Sequence, residues 1–284
     1  MPLITFPVAS SLYQNVIFTG SEEIFNVPLE IYKDICERQE IKLIKSEGRL
    51  ELKGAMSPID MKIRGDVSSD FICGLIYMFA ISRSNNYIYP INGVVSTLFI
   101  TTTLNILAKF GYIFEVNESY YRFVEKKDTT ETRFDMELDF SLLASFAVLG
   151  CLKGGVRIKD VPYQSEQADF EIIKILKDCN ANIVYKDNVL EFNKSELTPI
   201  NCNIEGHVDL LPSLLVLAAC IDGQSKFTGI NNLSTRGKTL INGMLNQITK
   251  TGVKVGWQDD EIDISGDNKE GGYEYDSYSN FRIL

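Results

Sequence analysis

One succession of helices and strands returns four times along the 284 residues, and a chain built on such a repeat has few ways to fold. The third copy is the clearest. Phe140 to Leu152 is an apolar helical stretch, and Gly154-Gly155-Val156-Arg157-Ile158 turns into a strand. Asp169 to Asp178 predicts an amphipathic helix with Phe170, Ile173 and Leu176 on one face. Ala181 to Tyr185, a Lys186-Asp187-Asn188 turn and Val189 to Phe192 make a hairpin. The fourth copy runs through an apolar helix from Leu210 to Cys220, a strand from Ser225 to Thr228, a helix from Thr239 to Thr249 closed by Gly252, and a hairpin of Val253–Val255 with Glu261–Ile264. The second has helices over 69–81 and 99–110, a strand at 87–89, and a hairpin of 112–116 with 120–123. The first keeps only its later part: a strand at 16–19, a helix over 29–38, and strands at 41–44 and 50–53.

The implied fold class is α/β (α+β), with about four βαβαββ units of about 60–70 residues each. No such unit buries its own apolar faces, so the units must pack on one another. The charged stretch from Lys126 to Arg133 separates the second unit from the third. The expected organisation is therefore two globes, 1–127 with two units (the first clipped) and 128–284 with two units and a C-terminal tail.

Charge and composition narrow the function classes. A formal net charge of -10 opposes nucleic acid and anionic membrane, so neither is an expected partner. No apolar run approaches the length of a membrane span, and the start, with Pro2 and Pro7 and no basic segment, makes a poor signal peptide. The six cysteines include no C-x-x-C and lie mostly inside apolar segments, the usage of reduced core thiols in a cytoplasmic protein. That reading sets zinc binding and a disulfide framework aside as the lesser alternatives.

Several segments carry a resemblance. Gly65-Asp66-Val67-Ser68-Ser69-Asp70-Phe71-Ile72 resembles the G-x-V-S-S-Q-F motif of EPSP synthases, the 3-phosphoshikimate 1-carboxyvinyltransferases. Gly93 to Ile100, followed by Leu104 to Gly111, is similar to their serine-lysine-proline-tyrosine segment and the helix after it. Val208-Asp209-Leu210-Leu211-Pro212 resembles I-D-E-L-P, and Gly229 to Gly252 follows without gaps the helix that carries K-E-S/T-D-R. The resemblance implies the enolpyruvyl transferase fold of inside-out α/β barrel type: two globes of three units each, with shikimate 3-phosphate and phosphoenolpyruvate bound between them. It implies transfer of the enolpyruvyl group onto a hydroxyl in aromatic amino acid biosynthesis, without metal or organic cofactor.

By the same resemblance Ser68 and Ser69 hold the shikimate phosphate, and Ser96 matches a third serine on the phosphate side. A helix N-terminus suits that task, because its N–H groups are unpaired and its dipole end is positive. The alternative for Ser68 or Ser69 is a plain N-cap. Asp209 matches an aspartate near the acceptor hydroxyl, a candidate general base, with an N-cap as the equal alternative. Arg236 falls at the motif's lysine and Arg282 at the arginine of a D-H-R motif, of which Asn280-Phe281-Arg282 keeps the tail. A solvated basic turn is the alternative for Arg236 and Lys238.

The departures matter equally. Asp70 replaces a glutamine beside the phosphate, Thr97 a lysine and Phe99 a tyrosine. Gly237 stands at a glutamate that takes part in proton transfer and Leu240 at an arginine that grips phosphoenolpyruvate. Glycine moves no proton and leucine binds no anion. The resemblance further implies basic clusters upstream of Met1 and a unit beyond Leu284, and Asn26 stands where it has an arginine. Two expectations follow: a divergent carboxyvinyltransferase completed by an oligomer or a complementing chain, or a non-catalytic relative that binds a phosphorylated small molecule.

Overall fold

The computed structural model describes residues 2–20, 25, 29–95, 97–129, 133, 135–231, 233, 235–267 and 274–277, and for residues 2, 3, 235 and 236 the backbone alone. The chain forms two compact units, Met1–Phe134 and Asp135–Leu284. The division lies seven residues beyond the 127/128 position expected from the charge run.

Unit 1 begins with α1 (Pro2–Leu12), β1 (Asn15–Thr19), α2 (Glu30–Arg38), β2 (Lys42–Ser46) and β3 (Arg49–Lys53). It continues with β4 (Met61–Gly65), α3 (Ser69–Ser82), β5 (Tyr87–Val94), α4 (Thr97–Lys109), β6 (Tyr112–Val116) and β7 (Tyr121–Lys126). Unit 2 repeats that order. It has α5 (Phe140–Lys153), β8 (Val156–Ile158), α6 (Ile172–Asp178), β9 (Asn182–Lys186) and β10 (Val189–Asn193). Then come β11 (Asn201–Asn203), α7 (Leu211–Cys220), β12 (Gly223–Thr228), α8 (Thr235–Thr249), β13 (Lys254–Gln258) and β14 (Glu261–Gly266). Single 3-10 turns, Ala168–Glu171 and Val208–Leu210, lead into α6 and α7.

Each unit therefore holds a three-stranded and a four-stranded sheet: β1-β3-β2 with β4-β5-β7-β6, and β8-β10-β9 with β11-β12-β14-β13. All neighbours are antiparallel except β4 with β5 and β11 with β12. Those parallel pairs flank α3 and α7, the crossover helices that parallel pairing requires. Asp187 and Asn188 take φ of 51° and 59°, the primed-turn geometry that joins β9 to β10 by two residues.

The helices form where the apolar period places them. Tyr32, Ile35 and Cys36 are the buried stripe of α2. α3 is apolar on all sides and buries ten of its fourteen residues, Phe71, Ile72, Leu75, Ile76 and Phe79 among them. Two corrections to the sequence reading concern unit 1 and the parallel strands. α1 is helical through Pro7, whose ring is buried, so the first repeat carries its first helix. β4 and β11 were not read as strands. Each unit has one core: Phe6, Tyr32, Leu50, Phe71, Phe79 and Phe123 lie in the first, and Phe140, Leu176, Phe192, Leu214, Phe227 and Ile262 in the second.

Candidate functional site

In unit 1 the parallel pair β4–β5 brings two helix starts together. Residues 66–68 connect β4 to α3, and β5 leads directly to α4. Two neighbouring parallel strands thus deliver two helices from the same sheet end, where backbone N–H groups gather. The strands approach most closely where they end. Val95 N–H donates to the Gly65 carbonyl at 3.0 Å. A Cβ at Gly65 would lie 2.2 Å from the Gly93 oxygen, and the pairing shifts register at that point.

Ser68 is the N-cap of α3: its φ is -163° and its Oγ accepts from Asp70 N–H at 3.2 Å. The cap uses a lone pair and leaves the O–H as a donor, so capping and anion binding are compatible roles for this residue. Ser69, at the first helical position, is 4% exposed. Asp70 lies in the same turn, and its charge adds to the burial that raises the Tyr32 phenol well above its ordinary pKa. On the approach, Arg64 Nε and Nη2 donate to the two Asp66 oxygens at 3.0 and 2.8 Å. That fork holds the Asp66 carboxyl below the usual aspartate range.

Residues distant in sequence fix this helix start. Tyr32 O–H donates to the Phe71 carbonyl in the first turn of α3, at 3.2 Å. Its ring stacks on Phe6 at 4.7 Å and meets Phe71 edge-on at 5.0 Å. Thr103 Oγ1 lies 3.4 Å from Cys73 Sγ and donates to the Phe99 carbonyl at 2.9 Å, stitching α4 to α3. Nothing in the sequence marks Tyr32 or the Gly65–Gly93 approach as parts of the site, because both depend on pairing across the fold.

In unit 2 the corresponding connector runs from β11 to α7. Gly206, at φ 85°, turns the chain, and His207 Nδ1 lies 2.7 Å from the Ala168 carbonyl. Asp209 sits within the 3-10 turn Val208–Leu210; the N-cap positions are His207 for the turn and Leu210 for α7. The N-cap reading of Asp209 is thereby set aside. It is half-buried at the start of α7. Arg236 and Lys238 lie in the first turn of α8, with Lys238 exposed, and Gly237 and Leu240 accompany them. Asp260 reaches back to the connector from β12 to α8, accepting from Gly229 N–H at 3.2 Å and Asn231 N–H at 2.7 Å.

Ser68, Ser69 and Asp70 thus share one helix start in unit 1, while Asp209 and Arg236 begin successive helices of unit 2. Ser96 and Arg282 lie outside the described residues. Burial pushes the Cys36, Cys73, Cys151 and Cys179 thiols up to about 11 and Cys202 to about 12, so none is a ready nucleophile. Among the described residues no group of three or more His, Cys, Asp or Glu side chains is placed to hold a metal ion. No helix among them is long and apolar enough to cross a membrane.

Comparison with known proteins gives consistent relatives. The profile of the family described as EPSP synthase (3-phosphoshikimate 1-carboxyvinyltransferase) matches residues 4–284. A 3-phosphoshikimate 1-carboxyvinyltransferase of Clostridium kluyveri is 29% identical over 98% of this chain and 66% of its own length. That of Clostridium novyi is 31% identical over 98% of this chain and 64% of its own. The chain thus spans slightly less than two thirds of these relatives. An EPSP synthase structure from Acinetobacter baumannii superposes with a TM-score of 0.69 at 19% identity, covering 99% of this chain and 68% of that one. The enolpyruvyl transferase NikO of Streptomyces tendae does so with 0.59 at 12%, covering 93% and 62%. Both likenesses bear on the fold.

Proposed function

The chain belongs to the EPSP synthase (3-phosphoshikimate 1-carboxyvinyltransferase) family, and on that premise we propose that it is a divergent carboxyvinyltransferase that binds shikimate 3-phosphate at the start of α3. The reaction moves the enolpyruvyl group of phosphoenolpyruvate onto the acceptor hydroxyl and releases inorganic phosphate, in aromatic amino acid biosynthesis in the cytoplasm. One observation carries the reading: Ser68 caps α3 through an Oγ lone pair, so its O–H remains to be donated, and Ser69 stands beside it at the first helical position of the same helix N-terminus.

The roles follow from chemistry. Ser68, Ser69 and the first N–H groups of α3 hold the phosphate, with Ser96 as a third donor. Asp70 repels a dianion unless a cation stands between them, and Arg64 is the nearby cation whose fork Asp66 now occupies. Asp209 accepts the proton of the attacking hydroxyl. Arg236, with Lys238, supplies positive charge at the start of α8, where a cation opposes the dipole of its own helix and favours a bound anion. Arg282 adds a further charge. Catalysis here is positioning and electrostatics, requiring no cofactor.

A complementing chain or a further copy completes this reading. Leu142, Phe146 and Leu149, each about half exposed, form one stripe along α5 that is apolar enough to call for cover. A second reading rests on Gly237 and Leu240: with no proton donor and no guanidinium there, the chain binds phosphorylated ligand without turnover.

Calorimetric titration with shikimate 3-phosphate, with and without phosphoenolpyruvate, and a phosphate-release assay on the same samples test both readings. The transferase reading expects binding lost in the Ser68→Ala/Ser69→Ala double variant, and turnover lost with binding kept in Asp209→Asn. Binding without turnover selects the second reading. Binding that ignores the double variant overturns the phosphate site.

A further inference from the structure

Both units tie the start of a crossover helix to the second helix of the preceding repeat by one ring-borne hydrogen bond. In unit 1 Tyr32, in the first turn of α2, donates to the Phe71 carbonyl of α3 at 3.2 Å. In unit 2 the bond runs the other way. His207, on the connector into α7, places Nδ1 2.7 Å from the carbonyl of Ala168, the first residue of the 3-10 turn that leads into α6. A carbonyl oxygen only accepts, so Nδ1 carries the proton.

Both ends of this bond are themselves fixed. The Ala168–Glu171 turn is held to the start of α5. Gln167 Oε1 accepts from Phe140 N–H at 3.3 Å, its Nε2 donates to the Leu138 carbonyl at 2.7 Å, and the Phe170 ring meets Phe140 edge-on at 4.9 Å. On the connector, Ile204 N–H donates to the Thr228 carbonyl at 2.9 Å. His207 N–H donates to the Ile204 carbonyl at 2.8 Å, and the His207 carbonyl accepts from Leu210 N–H at 2.9 Å, closing the turn Val208–Leu210.

Asp209 is thereby suspended between two anchors. On one side Leu210 is fully buried in the core of unit 2. On the other side stands His207, half-buried, bonded through its ring to the backbone of a separate turn. One anchor leaves a turn free to pivot; two define its direction.

We infer that His207 is a positioning residue: its Nδ1–H bond to Ala168 sets the direction in which the Asp209 side chain leaves the start of α7. The inference rests on the reading of Asp209 as the base that accepts the proton of the attacking hydroxyl. That transfer needs the carboxylate within hydrogen-bond reach of the hydroxyl, and a misplacement of about 1 Å costs about a hundredfold in rate. His207 acts through Asp209 and exchanges no proton itself.

Two variants of equal shape separate the hydrogen bond from the packing of the ring. His207→Asn offers an amide N–H near the position of Nδ1–H, and His207→Leu offers no donor. His207 is the one histidine of the chain, so nitrogen NMR of histidine-labelled parent protein at pH 8 reads its tautomer directly. The Nδ1–H form is expected; the Nε2–H form, which an imidazole free in water prefers, refutes the bond. Exchange of the Leu210 amide should quicken at least about tenfold in His207→Leu and return towards the parent rate in His207→Asn. Equal rates in all three proteins overturn the inference. In the phosphate-release assay His207→Leu should lower kcat at least about tenfold while KM for shikimate 3-phosphate holds, and His207→Asn should recover most of the loss. A kcat that ignores the difference between the two variants counts against positioning. Added to Asp209→Asn, His207→Leu should cost nothing more; a further loss of about tenfold would give His207 a duty of its own and overturn the inference. A parent chain without turnover refutes the transferase reading alone, because the tautomer and the exchange rates still decide whether His207 fixes the turn.

Discussion

Replacing Gly65 by alanine isolates the geometry that brings two helix starts together. Gly65 ends β4, and a Cβ there would stand 2.2 Å from the Gly93 oxygen and 3.1 Å from Val94 Cγ2. An ordinary carbon–oxygen contact needs about 3.3 Å, so the Gly93 carbonyl must retreat by about 1 Å. That carbonyl is backbone, on the strand that leads into α4, and it cannot swing away as a side chain would. The displacement strains the 3.0 Å bond from Val95 N–H to the Gly65 carbonyl and moves α4 away from α3. Overpacking of this kind costs about 1–3 kcal/mol. For a chain of 284 residues that lowers the melting temperature by about 2–5 °C. Affinity for shikimate 3-phosphate falls with it, because the donors no longer converge. Gly256→Ala is the matched control: its nearest foreign atom, Asp263 Cβ, lies 3.8 Å away, and it should cost far less. Urea denaturation followed by circular dichroism, with calorimetry on both variants, measures the effects. If Gly65→Ala unfolds at the midpoint of Gly256→Ala and binds ligand as the parent does, the close approach does not organise the site.

Three further outcomes follow from the same contacts. Tyr32→Phe removes one buried hydrogen bond, 3.2 Å to the Phe71 carbonyl, and keeps the ring stack; it should cost about 1 kcal/mol in a urea titration, and a loss above about 3 kcal/mol would mean that the ring itself has moved. A disulfide reagent at pH 8 should label the native protein slowly and all six cysteines in urea, since burial raises their thiols; rapid native labelling would contradict that burial. The Asp66 carboxyl is depressed by its Arg64 fork, so its stabilising contribution is present above the ordinary aspartate value of about 3.9 and disappears as the pH falls through the lower folded value. Arg64→Gln should flatten that acid limb, and added salt should weaken it, in thermal melts between pH 2 and 6; a limb indifferent to both would assign it to other carboxylates.

Much of the architecture was legible because period and punctuation agree. The hairpin of β9 and β10 announces itself through two alternating runs around Asp187-Asn188, residues that tolerate positive φ. α1 carries Pro7 in its interior, which weakens any helix signal in the sequence, although one lost ladder bond is tolerated when the ring is buried. β4 carries a period-two signal in Met61, Ile63 and Gly65 that a longer neighbouring helix overshadowed. Asn201-Cys202-Asn203 carries no strand signal, and β11 exists through its pairing with β12. At the proposed site, the cap at Ser68 was legible from the serines before an apolar helix, and the proposed ligand role of Ser68 would use a different part of the same hydroxyl. The cap reading of Asp209 was reasonable chemistry, but the preceding 3-10 turn moves the cap to His207 and Leu210. Tyr32 lies 39 residues from the carbonyl it holds, a distance no local pattern spans.

α8 separates what supports the fold from what performs chemistry. Ile241, Met244, Leu245 and Ile248 bury its inner face, whereas Gly237, Lys238 and Leu240 in its first turns are not among the buried residues. A lineage can therefore lose a glutamate or an arginine from those turns without any signal in folding, expression or abundance. Selection for a stable protein is blind to such losses, so a well-folded member of this family is no guarantee of a working one.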